Sequence, residues 1–338
     1  MSRNRMNAAA FKESHPEADV ELPYAGFDTF LKAEPGNVEN ISDEDDVDVA
    51  VLGVPYDSAV SNRPGARYGP QAVREASGWW AYLSGYKGGL TNMDTGAQVD
   101  YSQLSIVDCG DIPVFPMDYE LTAESITAHI ATAAENVFPL MIGGDHYCTF
   151  PAFRGFAASR DADSVGLVQI DAHTDTTEES AIYGKHFHGS STRLIAESEY
   201  SDYENISQVG IRGYESPDFF EFADDTGLNL YTMRDVRERG IKAVATDAIE
   251  AAAAETDAVY VTFDIDSVDP SVAPGTGTPE PGGLDAREAH AIMDILGGHE
   301  AVEAVDLMEV APTYDPTEGT QRLAAYLLLT LIERQFVE

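Results

Sequence analysis

The sequence predicts an α/β fold: a single three-layer α/β/α domain around an eight-stranded, mostly parallel sheet. Three observations carry this reading. Eight short apolar runs recur along the chain, at Val47–Val54, Leu104–Cys109, Phe138–Ile142, Val165–Ile170, Ile206–Ile211, Leu228–Tyr231, Ala258–Phe263 and Ala304–Met308. Most are near-continuous in Val, Ile and Leu, as strands covered on both faces require. Segments of helical character separate them, and the alternation continues to the C-terminus without a low-complexity linker or internal repeat, which favours one layered domain over two.

Taken in order, residues 1–40 are polar and irregular, with Pro16, Pro23 and Pro35, and read as an N-terminal arm. The main domain spans 41–338 and opens with an acidic lead-in, Ser42–Asp46. The segment Glu120–Val137 carries apolar residues at Leu121, Ile126, Ile130 and Ala134, which suits a half-buried helix. Leu284–Leu296 opens with Asp285 and stops at Gly297–Gly298, a helix start and stop. Ile241–Ala254 and Thr320–Phe336 have the same character. Two loops rich in Gly and Pro interrupt the rhythm, Ser61–Pro70 after the first strand and Ser267–Gly283 after the seventh. Such loops have a shaped backbone. They belong to the carboxyl edge of the sheet, where ligands bind in open α/β folds.

Composition narrows the partners. Lys plus Arg is 20 and Asp plus Glu is 59, a net charge of −39, which repels nucleic acid and anionic membranes. The acids are spread along a chain that is 43% hydrophobic, so disorder is not the explanation. An acid-coated surface adapted to high salt accounts for the total, because screening makes self-repulsion tolerable. Two cysteines, Cys109 and Cys148, make no disulfide framework and fit a reducing cytoplasm. The first 21 residues contain no apolar core of a signal peptide, and Leu323–Ile332 is too short to span a bilayer.

The chemistry gathers at strand ends. After Val165–Ile170 come Asp171, His173 and Asp175, which in an extended chain would point to one side. After Phe138–Ile142 come Gly143–Gly144–Asp145–His146, where glycines permit a sharp turn that presents His146. Asp264–Ile265–Asp266 follows the seventh strand and Glu309 the eighth. A polar turn capping a strand explains one of these features but not all together. So many acids need cations to stay close. A set of four Asp and two His is oxygen-rich and has no thiolate, which suits Mn²⁺ or Mg²⁺ better than structural zinc. The two imidazoles favour Mn²⁺, with Zn²⁺, Co²⁺, Fe²⁺ and Ni²⁺ left open.

These motifs resemble the ureohydrolase family of arginases, agmatinases and related amidinohydrolases. The matching segments are Gly143–His146, Asp171–Asp175, His188–Ser190, Phe263–Gly283 and Asp306–Val310, within a likeness that runs from about Val47 to the C-terminus. The resemblance implies an arginase-like fold and two divalent ions, Mn²⁺ first. One would be held by His146, Asp171, Asp175 and Asp264, the other by Asp171, His173, Asp264 and Asp266. It further implies Glu309 as guanidinium anchor and His188 as proton shuttle to the departing amine. The products would be urea and an amine, made by a cytoplasmic homo-oligomer, a trimer or hexamer. A catalytically inactive metal-bound scaffold is disfavoured, because none of these residues is lost.

The family divides by what grips the far end of the substrate. Thr176 and Thr177 follow Asp175 where arginases carry an Asn, which counts against arginine. Gly53–Pro70 resembles the agmatinase branch, which also contains guanidinobutyrases and guanidinopropionases. Agmatine, converted to putrescine and urea in polyamine biosynthesis, has an ammonium tail that Glu178 and Glu179 would suit. Guanidinobutyrate would instead need Lys185 or Arg63. The remaining polar residues have plainer expectations. Asp145 is expected to orient a ligand, Cys148 to start a helix, and Asp269 to fix its loop. His186 and Lys185 read as loop residues, and Trp79 and Trp80 as core or subunit contacts. Gly275–Thr278 lacks the lysine of a phosphate loop.

The charge predicts a halophilic protein. Its thermal midpoint should rise as KCl is taken from low to molar concentration, and a flat or falling midpoint would refute the screening argument.

Overall fold

The computed structural model describes residues 22–41, 47–93, 96–101, 104–160 and 164–337. The acidic lead-in at 42–46 and most of the arm lie outside them. The nine strands of the main sheet are β1 (Glu34–Pro35), β2 (Val49–Gly53), β5 (Ile106–Asp111), β6 (Phe138–Ile142), β7 (Val165–Ile170), β8 (Ile206–Ile211), β9 (Asn229–Thr232), β10 (Ala258–Asp264) and β11 (Val302–Met308). Their order is β1-β5-β2-β6-β11-β10-β7-β8-β9, and every pairing is parallel. A two-stranded antiparallel ribbon, β3 (Leu90–Thr91) with β4 (Gln98–Val99), stands apart.

All eight apolar runs are strands of this sheet, and a ninth, β1, corrects the count of eight. It escaped notice because Glu34 and Pro35 are both exposed, with no apolar pattern to announce them. The stretch read as an arm also contains Phe30 and Leu31, which are buried. Asp108 Oδ2 holds the Phe30 amide at 2.7 Å and the Arg74 Nε at 2.9 Å, so one buried carboxylate ties this segment to the helix Gly69–Lys87.

Alternation along the strands separates two cores. Val49, Val51, Leu140, Ile142, Val168, Ile170, Val261 and Leu307 belong to one cluster, which includes apolar residues of the helices at 241–253, 286–297 and 319–336. Ala50, Leu52, Met141, Leu167, Tyr260 and Met308 belong to the other, with the helices at 119–134 and 149–159. Side chains of successive strand residues point to opposite faces, so a sheet covered on both sides reads as continuous apolar sequence. The helix starts follow local chemistry: Asp285 accepts from the amides of Arg287 and Glu288, and Glu288 returns a bond to the Asp285 amide.

The arrangement positions a site. Strands β6, β11, β10 and β7 are consecutive neighbours, and Ile142, Leu307, Phe263 and Ile170 are in register across them. The next residues along therefore emerge at one level of the carboxyl edge.

Candidate metal centre

The Gly143–Gly144 turn brings His146 off β6. Neither glycine has a positive φ, so turning freedom is not what they supply. Close approach is the reason: a Cβ on Gly144 would sit 1.7 Å from the Tyr56 carbonyl oxygen. His146 is buried, and its amide donates to Glu309 Oε1 at 3.1 Å. Its Nε2 lies 2.9 Å from Thr262 Oγ1. Its Nδ1 lies 2.9 Å from Asp171 Oδ2, 3.1 Å from Asp264 Oδ2 and 3.2 Å from Asp175 Oδ2, yet has no well-oriented hydrogen bond.

A second group adjoins the first. His173 Nδ1 lies 3.1 Å from Asp266 Oδ2 and 3.6 Å from Asp171 Oδ1. His146, Asp171 and Asp264 thus form one set able to hold a cation, and Asp171, His173 and Asp266 another, with Asp171 common to both. Asp264 falls in the first set only, and Asp175 reaches the site through His146. All six residues named from the sequence meet here.

They do not converge by strand alternation. β7 ends at Ile170, the chain bends at Ala172–His173, and Asp175 takes a left-handed φ of 49°. The Ser191 hydroxyl, 3.1 Å from Asp175 Oδ2, helps hold it there. Glu309 is also left-handed, at φ 63°, with its amide bonded to the Gly144 carbonyl. Such backbone costs of order 1 kcal/mol or more and persists where surroundings enforce it.

Electrostatics show the strain of crowding. Burial opposes charge on Asp171, but the nearby imidazoles of His146 and His173, in their protonated forms, prevail and pull its carboxyl below the usual range. Burial and the negative charges of Asp266 and Asp171 push Asp264 well up. Burial and Asp171 raise Asp175 to about 7. A neutral imidazole donating its Nε2 proton to Thr262, as a metal ligand would, turns a lone pair at Nδ1 toward three carboxylates. That contact is repulsive until a cation lies between them, so the donor set fits a divalent metal.

His188 closes one side. Its Nδ1 is 2.9 Å from Glu309 Oε1, and its Nε2 faces Ser61, 3.0 Å from the amide and 2.7 Å from Oγ. Burial disfavours its charged form, but the Glu309 bond outweighs this and lifts the imidazolium to about 9. Glu309 is itself buried, with Oε2 unpartnered. A cavity of about 200 Å³ is lined by His146, His173, Asp175, His188 and Asp264, together with Ser61, Thr174, Thr177, Phe187, Gly189, Glu215 and Thr278. A larger groove of about 640 Å³ lies at the β8–β9 edge, and no residue of either ligand set lines it.

Several plainer expectations are corrected. Asp145 contacts no ligand side chain; its Oδ2 accepts the Ala59 amide at 2.8 Å and so fixes the loop after β2, while burial and Glu309 raise it to about 8. Glu178 is exposed and faces Arg193 at 3.6 Å, and neither it nor Glu179 lines the cavity. Arg63 is committed to the carbonyls of Thr276 and Gly277 at 2.7 and 3.2 Å, and Lys185 is exposed away from the lining. The expectations for Asp269 and Cys148 hold: Asp269 accepts the Ser271, Gly282 and Gly283 amides, and Cys148 is a buried residue at the head of a helix. Sequence reading missed Glu215, Ser61, Gln169 and Gln208. Gln169 Nε2 donates to Asp171 Oδ2 at 2.7 Å, and its Oε1 accepts from Thr192 and Gln208. A glutamine in the middle of an apolar strand was the available signal.

The fold and the paired ligand sets define the class: a parallel-sheet α/β protein with two adjoining candidate cation sites at the carboxyl edge of its sheet. Residues 47–333 match the model of the arginase family, and the chain belongs to that family. It is accordingly an arginase-family amidinohydrolase, a hydrolase of amidino C–N bonds. It is 38% identical to proclavaminate amidinohydrolase of Streptomyces clavuligerus over 280 residues, 82% of this chain and 84% of that one. It is 32% identical to guanidinopropionase of Pseudomonas aeruginosa over 323 residues, 94% of this chain and 95% of the relative. The crystal structure of a hypothetical agmatinase from Burkholderia thailandensis superposes with a TM-score of 0.78 at 34% identity, covering 93% of each chain.

The buried amide network makes a prediction. Gln169→Ala strands the Thr192 hydroxyl and a Gln208 amide hydrogen, so it should destabilise the fold by about 1–3 kcal/mol. Denaturant unfolding of the variant checks this, and unchanged stability would show that the network is not needed.

Proposed function

We propose that the protein hydrolyses a linear guanidino compound to urea and an amine, with agmatine as the substrate and putrescine as the amine. The supporting observation is the unpartnered Nδ1 of buried His146 amid three carboxylates, beside a cavity that the same residues line. His146, Asp171, Asp175 and Asp264 would hold one divalent ion, and Asp171, His173, Asp264 and Asp266 the other, with Mn²⁺ favoured by the oxygen-rich set with two imidazoles. When bound, the ions supply Lewis acidity, which makes water nucleophilic at neutral pH.

The chain's own groups do the rest. The Oε2 of buried Glu309 has no partner among the described residues and would accept a guanidinium N–H, while its Oε1 keeps His188 in place. His188 handles a proton at Nε2, since Nδ1 is occupied. The departing amine needs that proton before it can leave. Glu215 is the acid on the cavity wall outside the ligand sets, held by the Thr174 hydroxyl at 2.9 Å. No Lys or Arg is among the described lining residues, which favours an ammonium tail over a carboxylate tail. A guanidino acid is the second reading, favoured by the likeness to a guanidinopropionase. In the agmatine reading the protein serves polyamine biosynthesis in the cytoplasm as a homo-oligomer.

Urea release from agmatine, arginine, 4-guanidinobutyrate and 3-guanidinopropionate tests the substrate, and agmatine should have the highest kcat/KM. Removing one charge from Glu215, as Gln, should raise the KM for agmatine roughly ten- to hundredfold, as expected for a hydrogen bond to a charged group. Preference for either guanidino acid would overturn the tail assignment. Metal analysis should find two ions per chain, with Asp171→Asn or Asp264→Asn losing metal and nearly all turnover. Full activity after chelation would defeat the metal assignment.

A further inference from the structure

We propose that Ser61 is a proton-relay residue, carrying a proton between His188 Nε2 and the departing amine nitrogen. The inference rests on the guanidino-hydrolase reading and adds a residue to it.

The geometry leaves His188 one exit. Its Nδ1 faces Glu309 Oε1 at 2.9 Å, and its side chain is buried. Only Nε2 can exchange a proton with the cavity, and Ser61 covers it with Oγ at 2.7 Å and the amide at 3.0 Å. An amide N–H only donates, so the neutral ring carries its lone pair at Nε2 and its proton at Nδ1, toward Glu309. When the ring gains a second proton, that proton appears at Nε2, where the Ser61 hydroxyl oxygen is the acceptor within reach. Ser61 lines the cavity, so its hydroxyl meets both His188 and the substrate space.

The hydroxyl is also held where a relay must be. The Ser61 carbonyl accepts the Tyr183 hydroxyl at 3.0 Å. Two residues earlier, Ala59 is pinned by Asp145 through its amide and by the His188 amide through its carbonyl, at 2.8 and 3.0 Å. Immediately after, Asn62 and Arg63 bond the carbonyls of Gly277 and Thr276. A serine fixed on both sides loses little further freedom on each proton transfer, so its hydroxyl is preorganised.

The step balances. His188 enters as imidazolium, supported by the Glu309 carboxylate. Its Nε2–H bond breaks as a new O–H bond forms on Ser61. The original Ser61 O–H bond breaks as an N–H bond forms on the departing nitrogen. The C–N bonding pair leaves with that nitrogen, His188 ends neutral, and Ser61 ends unchanged.

Ser61→Ala tests this cleanly because it removes the hydroxyl and keeps the amide that orients Nε2. Turnover of agmatine should fall on the order of 10²-fold, with little change in KM or metal content. Ser61→Thr, which keeps a hydroxyl, should restore most of it. An alkoxyguanidine analogue releases a far less basic amine and needs its proton less, so Ser61→Ala should lose much less turnover on it than on agmatine. Equal loss on both substrates, or equal loss in the Ala and Thr variants, would mean a structural role and overturn the relay. Wild-type turnover in Ser61→Ala would overturn it too. A large loss in His188→Ala with none in Ser61→Ala leaves the parent reading standing and removes the relay alone. No urea from any guanidino compound with the wild type defeats both.

Discussion

Everything at the carboxyl edge follows from crowding several buried carboxylates around one imidazole nitrogen. Asp171, Asp175 and Asp264 each bring an oxygen within 3.2 Å of one imidazole nitrogen. Like charges buried so close repel one another, and the raised carboxyls of Asp175 and Asp264 reflect it. The protein keeps them together because four neighbouring strands of a parallel sheet end at one level, and the core beneath leaves the strands nowhere else to go. A rigid sheet thereby holds a site that would disperse if left to its own electrostatics, and a cation resolves the conflict.

The surroundings show how the rigidity is maintained. Gln169 turns from an apolar strand to bond Asp171, and Gln208 bonds both Gln169 and the Thr174 carbonyl. Thr278 bonds Asp266, and Arg212 caps the carbonyls of Asp266 and Ser267. Gln169 is bonded at both ends of its amide, so it holds Asp171 in one arrangement, whereas the Gln208 Oε1 has no partner among the described residues. The left-handed backbone at Asp175 and Glu309 belongs to the same economy: local strain is borne where a side chain must face the site.

The acid of the surface and the acid of the site are different things. The chain's charge of −39 is spread along its length, whereas the site uses a handful of buried carboxylates. Within the cavity the acid that matters beyond the ligand sets is Glu215, far in sequence from Glu178 and Glu179. Surface acids answer to bulk solvent, while a cavity acid answers to whatever displaces water beside it.

Much was legible in the sequence alone. The eight apolar runs and the residues at their ends depend on local pattern, and a strand buried on both faces cannot hide its composition. His146, Asp171, His173, Asp175, Asp264, Asp266 and Glu309 could therefore be named together, whereas His188 and the roles within the set came from the resemblance of the motifs to the ureohydrolase family. The tertiary structure decided what depends on folding back. The strand Glu34–Pro35 is made by its neighbour β5, not by its own residues. Asp145 serves a loop 86 residues away rather than a ligand. Ser61 meets His188 across 127 residues, and Glu215 meets Thr174 across 41. Serine and glutamate carry no periodic signal in a loop, because nothing in their local sequence says which distant side chain they will face. Only the closure of the sheet and its loops determines that.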